Sequence, residues 1–295
     1  MSMNEQVLHE RIEHCLSALD DTARESTSIG AVVEAGLLSE EERAEVRKCF
    51  QGHAWLQQPE YSALQPLGPW LFAADVDTLL NDLYPLAERG FHGLLMTHQP
   101  VAHEAEKLGE LCVVKDTAGG KQLLRYYAPH VLPVVHRFSD MPWHQRLFGS
   151  LSYWWLPGLE GWREYKGRWH SQGEVPDASE TITLTPALLQ ALGNDPLSHQ
   201  ILGELEQSSP SLFSVACPGI RLAIVDKAIS RARKAGLSST QNLSVYAAYC
   251  VAHGMEVSCE PAFARAVELA RAGPHSLAEN LKTTGSHSIS EARHG

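Results

Sequence analysis

The sequence predicts an α/β (α+β) N-terminal domain with a small mixed sheet and helices, followed by an all-α helical lobe. Three observations carry this prediction. From Leu67 to Pro129, strand-length apolar runs alternate with stretches of helical period. Residues 171–179 then interrupt the pattern with a polar, turn-rich segment. Beyond them, three helical patterns each stop at a glycine, Gly236, Gly254 and Gly273. The resulting organisation is an N-terminal helix within 1–30, an α/β domain over 31–172, a linker at 173–182, a helical lobe over 183–273 and a disordered tail over 274–295.

Taken in order, apolar residues at Val7, Leu8, Ile12, Cys15, Leu16 and Leu19 recur with a helical period across 4–25. A second helix is expected over 39–50. Ser39 is its N-cap, and Glu40 to Glu42 sit where the helix dipole favours negative charge. Leu67 to Ala73 reads as a strand, Val76 to Glu88 as a helix stopped at Gly90, Phe91 to Thr97 as a strand and Ala102 to Gly109 as a helix. Leu111 to Lys115 and Lys121 to Tyr127 flank Thr117-Ala118-Gly119-Gly120, whose glycines tolerate positive φ, so a hairpin is predicted. In the lobe, Thr185-Pro186 and Asp195-Pro196 are N-cap and first-turn pairs. Helices follow over Leu222 to Ala235, Asn242 to His253 and Pro261 to Ala272. Residues 274–295 are rich in Ser, Thr, His and Gly and lack apolar periodicity.

Composition narrows the function classes. A formal charge of −11 argues against general nucleic-acid binding and against docking on anionic membranes, both of which need a basic face. No apolar run approaches the length of a transmembrane helix, and residues 1–6 lack the basic flank and apolar core of a secretory signal. The six cysteines are scattered without a Cys-x-x-Cys pair, which fits reduced thiols in the cytoplasm.

The usual catalytic devices are absent. Gly149-Ser150-Leu151-Ser152 lacks the second glycine of a nucleophile elbow, and Gly119-Gly120-Lys121 is a hairpin turn, not a phosphate loop. His98 and His103 are five apart with Pro100 between them, so they do not share a helical face, and the His-Glu-x-x-His zinc pattern does not occur. No catalytic residue, metal site or cofactor is therefore expected. The basic residues Arg221, Lys227, Arg231, Arg233 and Lys234 precede a turn, which imitates a helix-turn-helix. The following helix carries no Arg or Lys to read bases, so a solvated bundle face is the better reading.

Five of the seven tryptophans fall between Trp143 and Trp169, thickened by Phe148, Tyr153 and Tyr165. Two readings stand side by side. The rings form a packed core, or some of them, with Trp154, Trp155, Trp162, Tyr165 and Trp169 as the candidates, form a partner-binding surface of the kind large aromatics dominate.

Three segments carry a resemblance. Leu67-Gly68-Pro69-Trp70-Leu71, the strand at Gly93-Leu94-Leu95, and Leu124-Arg125-Tyr126-Tyr127-Ala128-Pro129 resemble the domain of unknown function 4123, the type VI secretion adaptors or effector chaperones. Leu147-Phe148-Gly149-Ser150 stands for that family's Phe-Phe-Gly-Pro element. Trp70 replaces its usual tyrosine and Ala128 its usual aspartate. On this resemblance Leu67, Pro69, Leu71, Gly93, Arg125, Tyr126, Tyr127, Pro129, Phe148 and Gly149 are structural motif positions. The resemblance implies a non-enzymatic cytoplasmic adaptor of a Gram-negative bacterium. Its partners would be a cognate secreted effector and the VgrG or PAAR spike protein, with no nucleic acid and no membrane. The alternatives are a hydrolase-like enzyme with a site near the aromatic cluster, or an acidic transcription regulator.

Overall fold

Six strands, each paired antiparallel with its neighbours, form the centre of the first unit. They are β1 (Ser28–Glu34), β2 (Gly52–Ala54), β3 (Pro69–Ala73), β4 (Phe91–Thr97), β7 (Leu151–Leu156) and β8 (Arg163–Lys166), in the order β2-β3-β1-β4-β7-β8. A two-stranded hairpin, β5 (Val113–Lys115) and β6 (Lys121–Leu123), stands apart from the sheet. The computed structural model describes residues 3–116, 118–169, 181–193, 196–213 and 215–291. The chain divides into two units, Met1–Gly193 and Asn194–Gly295, an α+β body and a helical one, as the sequence predicts.

Strand alternation sends successive side chains to opposite faces, and here both faces are covered. On one side Ile29, Ala31, Val33, Phe72, Leu94, Met96 and Trp155 pack under α1 (Met3–Ser17), α3 (Glu40–Cys49) and a helical run over 76–90. On the other, Val32, Leu71, Leu95, Trp154 and Leu156 share a core with Trp55, Tyr126, Tyr127, and residues of α6 (Val101–Cys112), α7 (Leu132–Arg137) and α8 (Pro142–Phe148). Double coverage explains why all of β4 is buried, its polar His92 and Thr97 included. Gly93 in β4 has φ of 139°, and a Cβ there would overlap the Trp155 carbonyl of β7, so the strand contact itself demands glycine.

Local chemistry accounts for the helix ends. Ser39 and Glu42 close a reciprocal capping box at the start of α3. The run 76–90 is segmented as α4 (Val76–Thr78), a π-helical turn (Leu79–Leu83), α5 (Tyr84–Ala87) and a 3-10 turn (Glu88–Gly90). Pro85 lacks the N–H that would continue the ladder, and a widened turn accommodates its ring.

The N-terminal stretch, expected as one helix, holds two. Between α1 and α2 (Asp21–Glu25), Asp20 accepts from the Ala23 N–H and restarts the chain. Ser28 then opens β1, a strand the periodicity did not reveal. The linker expected at 173–182 falls largely outside the described residues. Its end does not open the helical lobe, because Thr183 bridges Lys115, and Ile182, Leu184 and Leu188 of α9 (Pro186–Leu192) are buried in the first unit.

The second unit packs α10 (Pro196–Ser208), α11 (Pro218–Lys234), α12 (Thr240–His253), α13 (Pro261–Ala272) and α14 (Leu277–Glu291) around Ile201, Val225, Ile229, Tyr246 and Phe263. The disorder expected over 274–295 is corrected over 277–291, where α14 forms; 292–295 lie outside the described residues. Leu277 is fully buried, and its N–H donates to Asn242 Oδ1 at 2.9 Å. Part of the basic character of α11 is committed to the fold. The Arg231 guanidinium donates to the Met255 carbonyl at 2.7 Å and Ser258 Oγ at 3.2 Å.

Candidate functional site

Seven large hydrophobic residues are well exposed among the described residues, and Leu64, Leu67 and Leu123 are three of them. These three meet in one groove of about 270 Å³, whose walls also include Leu56, Pro69 and Leu124, with Glu34, Arg125 and Tyr127 at its polar end.

The wall carrying Leu64 and Leu67 is an irregular segment held by its backbone. Leu64 N–H bonds the Tyr61 carbonyl at 2.8 Å and Gly68 N–H bonds the Leu64 carbonyl at 2.8 Å. The end of β1 docks on it through Ala35 N–H to the Gly68 carbonyl (3.1 Å) and Gly36 N–H to the Leu67 carbonyl (2.8 Å). A Cβ on Gly36 would sit 2.8 Å from the Leu67 oxygen, so glycine permits this approach. Arg47 adds a bond to the Pro66 carbonyl at 2.6 Å while lying over the Trp70 ring. With its backbone committed in this way, the segment turns two leucines outward by construction.

The opposite wall is β6 and the residues after it. The predicted hairpin forms, but its second strand, expected to run to Tyr127, ends at Leu123. Tyr126 and Tyr127 lie in a turn and both enter the same core. Tyr126 donates its hydroxyl to the Leu108 carbonyl at 2.8 Å, and the Trp55 ring packs on both tyrosines. This anchoring places Arg125 at the mouth of the groove.

At the polar end, Glu34 Oε2 accepts from both His92 Nε2, at 2.9 Å, and the Arg125 guanidinium. Burial works to raise the Glu34 pKa. The His92 hydrogen bond and the Arg125 charge outweigh it and hold the carboxyl below its ordinary range. Burial depresses the His92 pKa against the pull of Glu34, so the imidazole is neutral and acts on Glu34 as a hydrogen-bond donor. Burial likewise pushes up the Tyr127 hydroxyl and the Cys112 thiol. The polar end therefore holds an ionised acid capped by a guanidinium, beside a protonated phenol and thiol. None of these groups is activated as a nucleophile or base.

The aromatic cluster does not form one surface. Trp154 and Trp155 are both fully buried, and alternation along β7 sends them to opposite faces of the sheet. Their candidacy as partner-contact residues is therefore corrected. Trp162 packs against Tyr84 and Phe91, Tyr165 against His136, and Trp169 stacks on His98 at 3.4 Å. All three are partly buried. Of the motif positions, Leu67, Pro69, Arg125 and Tyr127 line the groove. Leu71, Tyr126 and Phe148 are core, and Gly93 serves the strand contact. Pro129 is partly buried in the turn after the tyrosines. Gly149 follows α8, where a Cβ would overlap the Gln145 carbonyl. Sequence reasoning missed Glu34, His92, Leu64 and Leu123. The one available signal was the apolar run Ile29–Val33 ending in a carboxylate, which marks Glu34 as the end of a buried strand.

One arrangement has the order of a nucleophile and base. Thr27 Oγ1 donates to the Ala23 carbonyl at 2.6 Å and so accepts from His98 Nδ1 at 2.9 Å, leaving Nε2 to accept from Ser152 Oγ at 2.6 Å. Burial lowers the His98 pKa to about 4, too weak a base to draw a serine proton near neutrality. The row ties Thr27, the end of β4 and β7 together.

Residues 31–145 match the family model of a domain of unknown function (DUF4123), which is linked with type VI secretion effector adaptors. No curated protein and no solved structure matches the chain. The matched span contains every residue lining the groove and stops before Trp154. Among the described residues no helix is long and apolar enough to cross a membrane.

Proposed function

We propose that this protein is a cytoplasmic adaptor that holds a type VI secretion effector and helps load it onto the VgrG or PAAR spike, acting by binding and not by catalysis. The observation that carries this reading is the coincidence of the adaptor-linked span with the exposed leucine groove. Exposed apolar side chains in a groove favour association, because covering them removes apolar surface from water. The net charge of −11 favours protein partners over nucleic acid. The test is co-expression of the full chain with the products of the genes that flank its own, followed by affinity purification. Stoichiometric recovery of a toxin-like product, and loss of its secretion when the adaptor gene is deleted, is the expected result. Normal secretion without the adaptor would refute the reading.

A further inference from the structure

Building on the adaptor reading, we propose that the groove takes an extended segment of the partner polypeptide. This segment adds as a strand to the free edge of β6, with apolar side chains at alternate positions and an oxygen acceptor beside Arg125. Three observations select this occupant. First, β6 pairs with β5 on one side only, and among the described residues no strand pairs with its other edge. An unpaired edge offers backbone donors and acceptors that an extended chain can satisfy and a helix cannot.

Second, the end of this edge reaches the apolar walls, since Leu123, the last residue of β6, lines the groove together with Leu64 and Leu67. At about 270 Å³ the groove has room for a few side chains of a peptide. Third, the electrostatics are one-sided. Glu34 is 12 % exposed and satisfied by two donors, whereas the Arg125 side chain is 52 % exposed. A guanidinium carries five N–H donors in a fixed fork. Beyond those held by Glu34 and Tyr127, Arg125 can meet a carboxylate or main-chain carbonyl of an incoming strand.

The experiment pans a displayed library of short random peptides on the full chain and counter-selects on a Leu67→Asp/Leu123→Asp variant. Both positions are exposed, so the variant should fold, and its circular dichroism and melting curve check this. The expected result is enrichment of peptides with alternating apolar residues and an acidic position. They should bind wild type at least about tenfold tighter than the variant, with slowed amide hydrogen exchange over 121–125. Enriched peptides with a helical apolar period, equal binding to the variant, or unchanged exchange at 121–125 would each overturn the inference. The two readings fail separately. If a flanking gene product co-purifies equally with the variant, the adaptor stands and the groove assignment falls. If the peptides bind at β6 but deletion leaves secretion intact, the groove stands and the adaptor reading falls.

Discussion

Breaking the Glu34–Arg125 pair should loosen the first unit by an amount that the geometry bounds. Two unit charges about 4 Å apart attract by about 4 kcal/mol at the effective dielectric of a protein surface. Arg125 is half-exposed, which screens the interaction toward the ~0–1 kcal/mol of surface pairs. Glu34 is mostly shielded, which moves it back up. A coupling of about 1–2 kcal/mol follows, and a double-mutant cycle of Glu34→Gln and Arg125→Ala measures it. Urea unfolding followed by tryptophan fluorescence is the appropriate assay, because all seven tryptophans lie between Trp55 and Trp169 and report the first unit alone. Acidification supplies a second arm. The folded-state pKa of Glu34 lies below its ordinary value, so its contribution is complete above the unfolded carboxylate pKa and disappears as pH falls through the folded value. The stability gap between wild type and Glu34→Gln should therefore close in acid. A coupling within about 0.5 kcal/mol, the limit of simple additivity, or a gap that widens in acid, would refute this account of the groove's polar end.

Three further outcomes follow from the packing. Tyr126→Phe should cost about 1 kcal/mol through the lost bond to the Leu108 carbonyl. Tyr126→Ala should cost about 3–5 kcal/mol through the cavity beside Trp55 and Trp154; equal melting of the two variants would contradict this ordering. Gly93→Ala should destabilise the first unit by more than about 1 kcal/mol, since its φ is positive and the Trp155 carbonyl fills the space, and a wild-type denaturation midpoint would count against it. A chain ending at His275 should lose all of α14, with Leu277 and Leu281 leaving the helical core, and lower that unit's stability by at least about 2 kcal/mol. Circular dichroism should register the loss, and an unchanged melting curve would count against it.

Local pattern determined much of this protein. Ser39 announced its capping box, Phe91–Thr97 its buried strand, and Pro261 with Gly273 the two ends of α13, because caps, apolar runs and helix stops are properties of neighbouring residues. The motif residues Leu67, Pro69, Arg125 and Tyr127 were also legible one by one. Only the tertiary structure decided which groups meet. Glu34 and His92 are 58 residues apart in the chain, and nothing local to either calls for the other. The aromatic cluster shows the same limit from the other side. Trp154 and Trp155 are adjacent in sequence, yet a strand covered on both faces separates them into different cores. The tail residue Leu277 looks isolated in a polar stretch and finds its partners on α12 and α13 only after the bundle assembles. Periodicity records which side of its own element a residue occupies. Whether that side meets solvent, a core or a charge is set by elements arriving from elsewhere in the chain.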